Sequence, residues 1–542
     1  MRDENVNDTE TRRRGDAAKE KEMLRMNSSF LAASPRLPLP ASSLSSLILS
    51  LDVGTSSVRA AFYDERGDEV AGTEVREERR FSTTEDGGAE LDAESAVEQV
   101  FGVIDETLAR SAGLNFFVES VAVSCFWHSL VGVDTNGRAL TPVYGWADTR
   151  AARAAETLRT QIDETRTHAR TGCRFHASYW PAKILWLREQ HRDLFQRVAQ
   201  WLSFSDLLAM RFFGEAKTSV SMASGTGLLD IHECAWDEEI LSRLGIGHKN
   251  LPPIAGDKEF FGLADEYAKR WPRLASARWF QAIGDGAANN IGAGCSTRER
   301  VALMIGTSGA MRVVFEGGVS GNLPPELWCY RVDRRRIVIG GALSDGGGLY
   351  EWMKESLNLS WGDAELEREL AQLEPDSHGL TVLPFWSGER STGWNARARG
   401  AIMGMTAHTR PVEILRAAME AVAYRFALVA RAVEGFAPGA EIIASGGALN
   451  ASPIWAQIIA DVLGRAINLS AVREASSRGA TLLALEAAGK LKSIGETGAP
   501  ILQTFEPDSV RHERYKQALE RHQKIYELTV ADQEVAKFLS ET

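Results

Sequence analysis

Cysteine is scarce in this chain: five residues (Cys125, Cys173, Cys234, Cys295 and Cys329) among 542. They are odd in number, widely scattered and free of any C-x-x-C pair. That argues against a disulfide framework or a zinc site and fits a reducing cytosol. Long apolar runs are missing too. None approaches the roughly 18 residues that span a bilayer, and the stretch 47–53 is short and carries Asp52. Positive charge is in deficit: 73 Asp and Glu against 61 Lys and Arg leave a formal net charge of −12. Such a surface repels phosphate backbones and anionic lipid on average, which disfavours nonspecific nucleic-acid binding and a membrane role. There is no G-x-x-x-x-G-K-[ST] and no strand-coupled G-x-G-x-x-G, so the usual phosphate and dinucleotide fingerprints are absent. What remains, 44% hydrophobic and 25% charged residues, is the composition of an ordinary globular protein. The length predicts roughly two to four domains.

Residues 1–46 stand apart. The first 21 are dense in mixed charge, and 27–46 are rich in Ser, Pro and Ala without helical or strand period. They predict a disordered extension, with Met23 and Met26 as alternative starts. From Leu47 onward strands alternate with helices, which predicts an α/β fold. Residues 47–53 and 58–63 read as strands around a Gly-Thr-Ser turn, 118–124 and 129–133 as another pair, and 279–283 as a buried strand. The pattern then restarts. Setting Gly54 over Gly306 aligns Asp52-Val53-Gly54-Thr55-Ser56 with Met304-Ile305-Gly306-Thr307-Ser308, and 61–64 with 313–316. Two apolar hairpins in one register predict two related domains, about 47–287 and 288–530, facing each other across a cleft, with a tail at 531–542.

A Gly-Thr-Ser turn offers backbone N–H groups and two hydroxyls at one spot, so it can hold phosphate oxygens. One turn from each domain would grip a polyphosphate from both sides. Only the first copy carries a carboxylate, Asp52, two residues before its glycine. A single carboxylate beside phosphates suits Mg²⁺, which takes one or two protein oxygens plus waters and phosphate oxygens; capping of its own turn is the plainer role. Asp285 lies in Gly284-Asp285-Gly286, after a predicted strand and before a helix of small residues. It reads either as an N-cap or as a cleft-facing base that takes a proton from an attacking hydroxyl. Phosphoryl transfer asks the protein mainly for positioning and charge neutralisation, so one base, one metal and two amide cradles are sufficient equipment. A third glycine site, Ser445-Gly446-Gly447-Ala448-Leu449-Asn450, follows another predicted strand and could seat a flat ring.

These motifs, in this order, resemble those of the FGGY carbohydrate kinases, members of the actin-like ATPase superfamily. The resemblance runs from Leu47 to about Lys490. It rests on Asp52–Ser56, on Lys183-Ile184-Leu185-Trp186-Leu187, on Gly388-Glu389-Arg390-Ser391, on Gly400–Met405 with Glu413-Ile414 and Ala417–Glu420, and on Ser445-Gly446-Gly447. Trp180 departs from the small residue or proline expected there, and Asp345 stands where the family often has asparagine. The resemblance implies two ribonuclease H-like domains flanking a central cleft and ATP-dependent phosphorylation of a sugar, sugar acid or polyol with Mg²⁺. In that reading Asp285 is the catalytic base and Asp52 the metal-associated carboxylate. Gly54, Thr55, Ser56, Gly306, Thr307 and Ser308 form the phosphate loops, and Gly446, Gly447 and Asn450 lie near adenosine. Ser124–Ser129 and Trp146-Ala147-Asp148-Thr149-Arg150 resemble gluconate kinases more than xylulose kinases. His128, Trp146 and Asp148 would then contact the sugar, and Arg150 would attract a carboxylate; a local Asp148–Arg150 ion pair is the structural alternative. Gluconate is the preferred substrate, xylulose or another pentulose or polyol the second, and a non-catalytic ATP-binding module the alternative of another class. A cytoplasmic enzyme with no nucleic-acid or membrane partner is expected, and a homodimer is compatible with the resemblance.

Overall fold

The computed structural model describes residues 45–319 and 323–532. The predicted extension lies outside the described residues except for Ser45 and Ser46, and the predicted tail lies outside them from residue 533 onward. Two seven-stranded sheets organise the rest. In the first, the strands run in the order Phe260–Phe261, Arg278–Phe280, Phe116–Cys125, Ser45–Val53, Ser57–Tyr63, Val75–Glu78, with Ile283–Gly284 also pairing with Phe116–Cys125. In the second the order is Trp328–Arg331, Arg336–Leu343, Gly309–Glu316, Arg300–Ile305, Glu441–Ser445, Ile467–Ser470, Ile501–Phe505. Each sheet contains the same run: three successive strands paired antiparallel, then strands reached by crossovers and paired in parallel, then an antiparallel edge. The duplication seen in the hairpins therefore extends through both sheets.

Three details differ from the sequence expectation. Residues 129–133 do not pair with 118–124; Val131–Val133 pairs instead with Gln200–Leu202. Alternation of apolar residues reports which face is buried, and both segments are buried throughout or nearly so, but it does not name the partner strand. The strand expected at 279–283 is two short ones, Arg278–Phe280 and Ile283–Gly284, both parallel to Phe116–Cys125 and broken at Gln281 and Ala282. The hairpin register also slips by one residue. Four residues (54–57) separate the paired Val53 and Val58, but only three (306–308) separate Ile305 and Gly309.

The halves meet along two helices of small residues, Asp285–Gly292 and Ala475–Ala487. Their backbones touch: a Cβ on Gly292 would lie 1.8 Å from the Ala475 carbonyl oxygen, and one on Gly479 1.8 Å from that of Ala288. The second helix also covers the first sheet, where Ser50 Oγ donates to the Ser477 carbonyl at 2.9 Å. The long helix Pro411–Val433 covers the second sheet. Proline in its first turn costs no hydrogen bond, and Glu413 accepts from the Arg410 amide to close that end. No described helix is long and apolar enough to cross a membrane.

Candidate active site

Both Gly-Thr-Ser turns sit at the ends of buried strands with their tips in solvent: Ser56 and Thr307 are exposed. Arg79 fastens the first turn, its guanidinium donating to the Gly54 carbonyl and its amide to Ser56 O at 2.9 Å. The second turn is held by backbone alone. Gly346 and Gly348 donate to Thr307 O at 3.1 and 2.9 Å, and Gly347 donates to Gly306 O at 2.8 Å. The glycine triplet is required there, because a Cβ on Gly346 or Gly347 would press on the Ser308 or Gly306 carbonyl at 2.7 or 2.5 Å. Gly446 adopts φ of +106° and lies against Ile305 O, so the third glycine site packs directly behind the second turn. Gly447 and Asn450 belong to the short helix Gly447–Ala451. Asp345 leads into the triplet and accepts from Ser387 N and Oγ, each at 2.9 Å, so it ties this loop to the segment before Gly388.

Asp52 is buried, and burial pushes its carboxyl above the ordinary range against the pull of Arg59 and Arg79. Arg59 approaches it at 3.7 Å but is also bound to Glu474. Asp285 starts its helix rather than capping it; Gly284 holds the cap position. Its carboxylate accepts from Gly286 N at 2.8 Å. Burial raises it to about 6, Asp52 adds to the rise, and Arg312 opposes it. Asp285 thus feels a negative charge from the first half and a positive one from the second. The glycines beside it make room for neighbours: a Cβ on Gly284 would strike the Trp127 ring at 1.8 Å, and one on Gly286 would meet Arg312 Nη1 at 2.2 Å.

Next to Asp285 both halves contribute to a buried wall. His128, at φ +67°, places Nδ1 2.5 Å from Gly225 O, which fixes the proton on Nδ1 and leaves Nε2 to accept from Arg390 at 3.3 Å. Burial and Arg390 hold this imidazole far below its ordinary value, so it is neutral. Arg390 lies over the Trp146 ring at 5.3 Å. Tyr179 OH meets Tyr330 OH at 2.5 Å across the halves, and Tyr330 stacks on Trp328 at 4.1 Å. The Lys183–Trp186 helix supports this wall from outside. Lys183 Nζ donates to His128 O at 3.2 Å and Ser178 O at 2.6 Å, and burial pushes it down to about 7. Trp186 lies under Arg150, 5.1 Å from the guanidinium.

The structure brings His128, Trp146 and Arg390 together and gives Asp148 and Arg150 to each other. Arg150 Nη2 bonds Asp148 at 2.5 Å and Glu90 at 2.7 Å, the local ion pair that was the alternative in the sequence. Two other buried arginines lie closer to the centre of the wall: Arg312, whose charge acts on Asp285, and Arg390, which reaches His128. Arg312 was missed, although a cation in the middle of the apolar strand Gly309–Glu316 was a usable signal. Among the described residues one carboxylate–histidine cluster, Asp376, His378 and Glu420, has metal-like spacing. Arg521 already pairs with Asp376, and Arg416 and Tyr515 with Glu420, so these side chains are engaged in a partly buried structural network.

Residues 47–292 match the N-terminal domain model of the FGGY family of carbohydrate kinases, and residues 301–488 match its C-terminal domain model. The gluconokinase of Bacillus subtilis (strain 168) is 26% identical over 479 residues, covering 85% of this chain and 91% of that protein. The xylulose kinase of Escherichia coli (strain K12) is 27% identical over 493 residues, covering 89% and 99%. The crystal structure of gluconate kinase from Lactobacillus acidophilus superposes with a TM-score of 0.82 at 25% identity, covering 91% of this chain and all of that one.

Proposed function

The chain belongs to the FGGY family of carbohydrate kinases, and on that premise we propose that it transfers the γ-phosphoryl group of ATP to a hydroxyl of gluconate. It is a sugar kinase with the two-domain actin-like fold. The observation that carries the chemical reading is Asp285: a half-buried carboxylate raised to about 6, under the influence of Asp52 from one half and Arg312 from the other. A carboxylate tuned upward toward neutrality is a better acceptor for an alcohol proton than one at its usual value. The two glycine-backed turns supply amides for the phosphates, and the Gly446–Asn450 segment supplies the surface for the adenine ring.

Asp52 suits a divalent cation, because it is a buried carboxylate at the base of the first turn whose ionised form burial disfavours despite Arg59 and Arg79, and a cation there would favour that form. Asp52 would be the residue to hold Mg²⁺, which would supply positive charge against the phosphates. The chain's own part is otherwise positional: the Arg79-clamped turn and the Gly346–Gly348 backing hold their loops still, and Asp285 takes the hydroxyl proton as the oxygen attacks phosphorus. Contacts between the halves at Tyr179–Tyr330 and His128–Arg390 exclude water, which would otherwise compete for the phosphoryl group.

Gluconate is favoured over a neutral sugar by the charge of the wall. Arg390 is buried, has no carboxylate within 4.0 Å among the described residues, and leaves Nε without a partner. An isolated buried cation is costly, and an anionic substrate would offset it. The chain's five cysteines are buried free thiols, which fits the cytoplasm. A coupled assay over gluconate, xylulose, ribulose and glycerol tests the assignment. Turnover on gluconate with the highest kcat/KM is the expected result. Activity on xylulose alone would give the protein to the second reading, which the similarity to the Escherichia coli xylulose kinase makes the natural competitor.

A further inference from the structure

A second buried arginine, Arg312, has no place yet in the reaction. It sits on the strand Gly309–Glu316, which leaves the second Gly-Thr-Ser turn directly. Among the described residues it makes no ion pair within 4.0 Å, and Nε and Nη2 are buried without a partner. Burial lowers its affinity for the proton to about 10, with Asp285 pulling the other way and Arg390 adding repulsion. The fold nonetheless clears space for it at both ends. A Cβ on Gly340 would lie 2.7 Å from Arg312 Cγ, and one on Gly286 would lie 2.2 Å from Nη1. Its own carbonyl is fixed by Asn290 Nδ2 at 3.0 Å, from the helix that Asp285 begins. An unpaired guanidinium given this much room beside the base is an expense the fold would avoid unless an anion arrives there.

We propose that Arg312 is a further catalytic residue, whose Nε–H and Nη2–H donate to equatorial oxygens of the phosphoryl group in flight. The inference rests on the kinase reading above but not on gluconate. In the step, the substrate oxygen forms a bond to the γ-phosphorus while the bond from phosphorus to the β,γ-bridging oxygen breaks. That electron pair leaves on ADP, the hydroxyl proton passes to Asp285, and Arg312 keeps its protons throughout. Charge spreads onto the equatorial oxygens at that moment, so donors aimed there lower the barrier more than they tighten the ground state. Arg312 comes from the phosphate-turn strand of one half and lies against Gly286, the neighbour of Asp285, in the other, so base and cation come from different halves.

The test uses Arg312→Lys and Arg312→Ala in the full chain, on whichever sugar the wild type turns over. The expected result is a kcat lower by about 100- to 1,000-fold with KM for sugar and ATP within about threefold, partly restored in Arg312→Ala by added guanidinium. A second readout is binding: calorimetry with ADP, Mg²⁺, aluminium fluoride and sugar should show tight ternary binding in the wild type. The variants should lose it by about 100-fold while ADP alone binds normally. A rise in KM for the sugar at unchanged kcat would overturn the proposal and make Arg312 a sugar contact. So would equal loss of ADP and transition-state-analogue affinity, which would make it a structural residue. Wild type inactive on every sugar tested would defeat the kinase reading itself; the aluminium fluoride arm would then show no ternary complex for any protein, an outcome that also overturns the proposal.

Discussion

The two Gly-Thr-Ser hairpins began as one pattern and now hold their ligand-facing turns by different physics. The first is surrounded by side-chain charge: Asp52 beneath it, Arg59 and Glu474 beside it, Arg79 gripping its carbonyl. The second has Met304 where the first has Asp52, is one residue shorter, and is clamped by amides and carbonyls of Gly346–Gly348 and Gly446. At the turns themselves, the first half offers side-chain charge and the second a backbone cradle.

The sharpest way to break that comparison is to remove charge from the first half. Asp285→Asn should lower kcat by about 1,000-fold with ATP still bound, measured by coupled assay and nucleotide titration. Near-normal turnover would end the assignment of Asp285 as base. The same variant carries a signed stability expectation. A carboxyl raised to about 6 from 3.8 stabilises the fold while protonated and loses that contribution as pH rises through about 6. Asp285→Asn should therefore melt higher than wild type at pH 7.5, with the difference fading toward pH 4. Asp52→Asn comes next, with about a 100-fold loss and a raised Mg²⁺ requirement. In the second half the effect should be mechanical: Gly446→Ala puts a methyl 2.2 Å from Ile305 O at φ +106°, costing about 2 kcal/mol or more by denaturant titration and weakening nucleotide binding. The wild-type pH profile of kcat/KM should fall below about pH 6 as Asp285 takes a proton; a profile flat to pH 5 would contradict it. Smallest of all, Met304→Leu should change kcat by less than about twofold, since that position supplies packing only.

Much of this was legible from residue order. Gly284-Asp285-Gly286, the turn repeat and the glycine pairs announce themselves because backbone conformation restricts which residues can stand there. What stayed hidden was pairing across distance. The strand at 131–133 finds its partner 69 residues on, in Gln200–Leu202, and no periodicity encodes that. Arg150 looked available to a substrate because nothing in the sequence places Glu90 beside it. The Lys183–Trp186 signature was recognisable, yet its job of setting the His128 backbone and bracing Arg150 shows only when the helix is seated against them.

The contact of Gly292 with Ala475 and of Gly479 with Ala288 is bare main chain on main chain. Only residues without side chains let two helices approach this closely, and one buried cluster runs continuously through residues of both halves. A single methyl added at either glycine would overlap a carbonyl oxygen and force the two helices apart, loosening the seam between the halves before it touched the chemistry beside it.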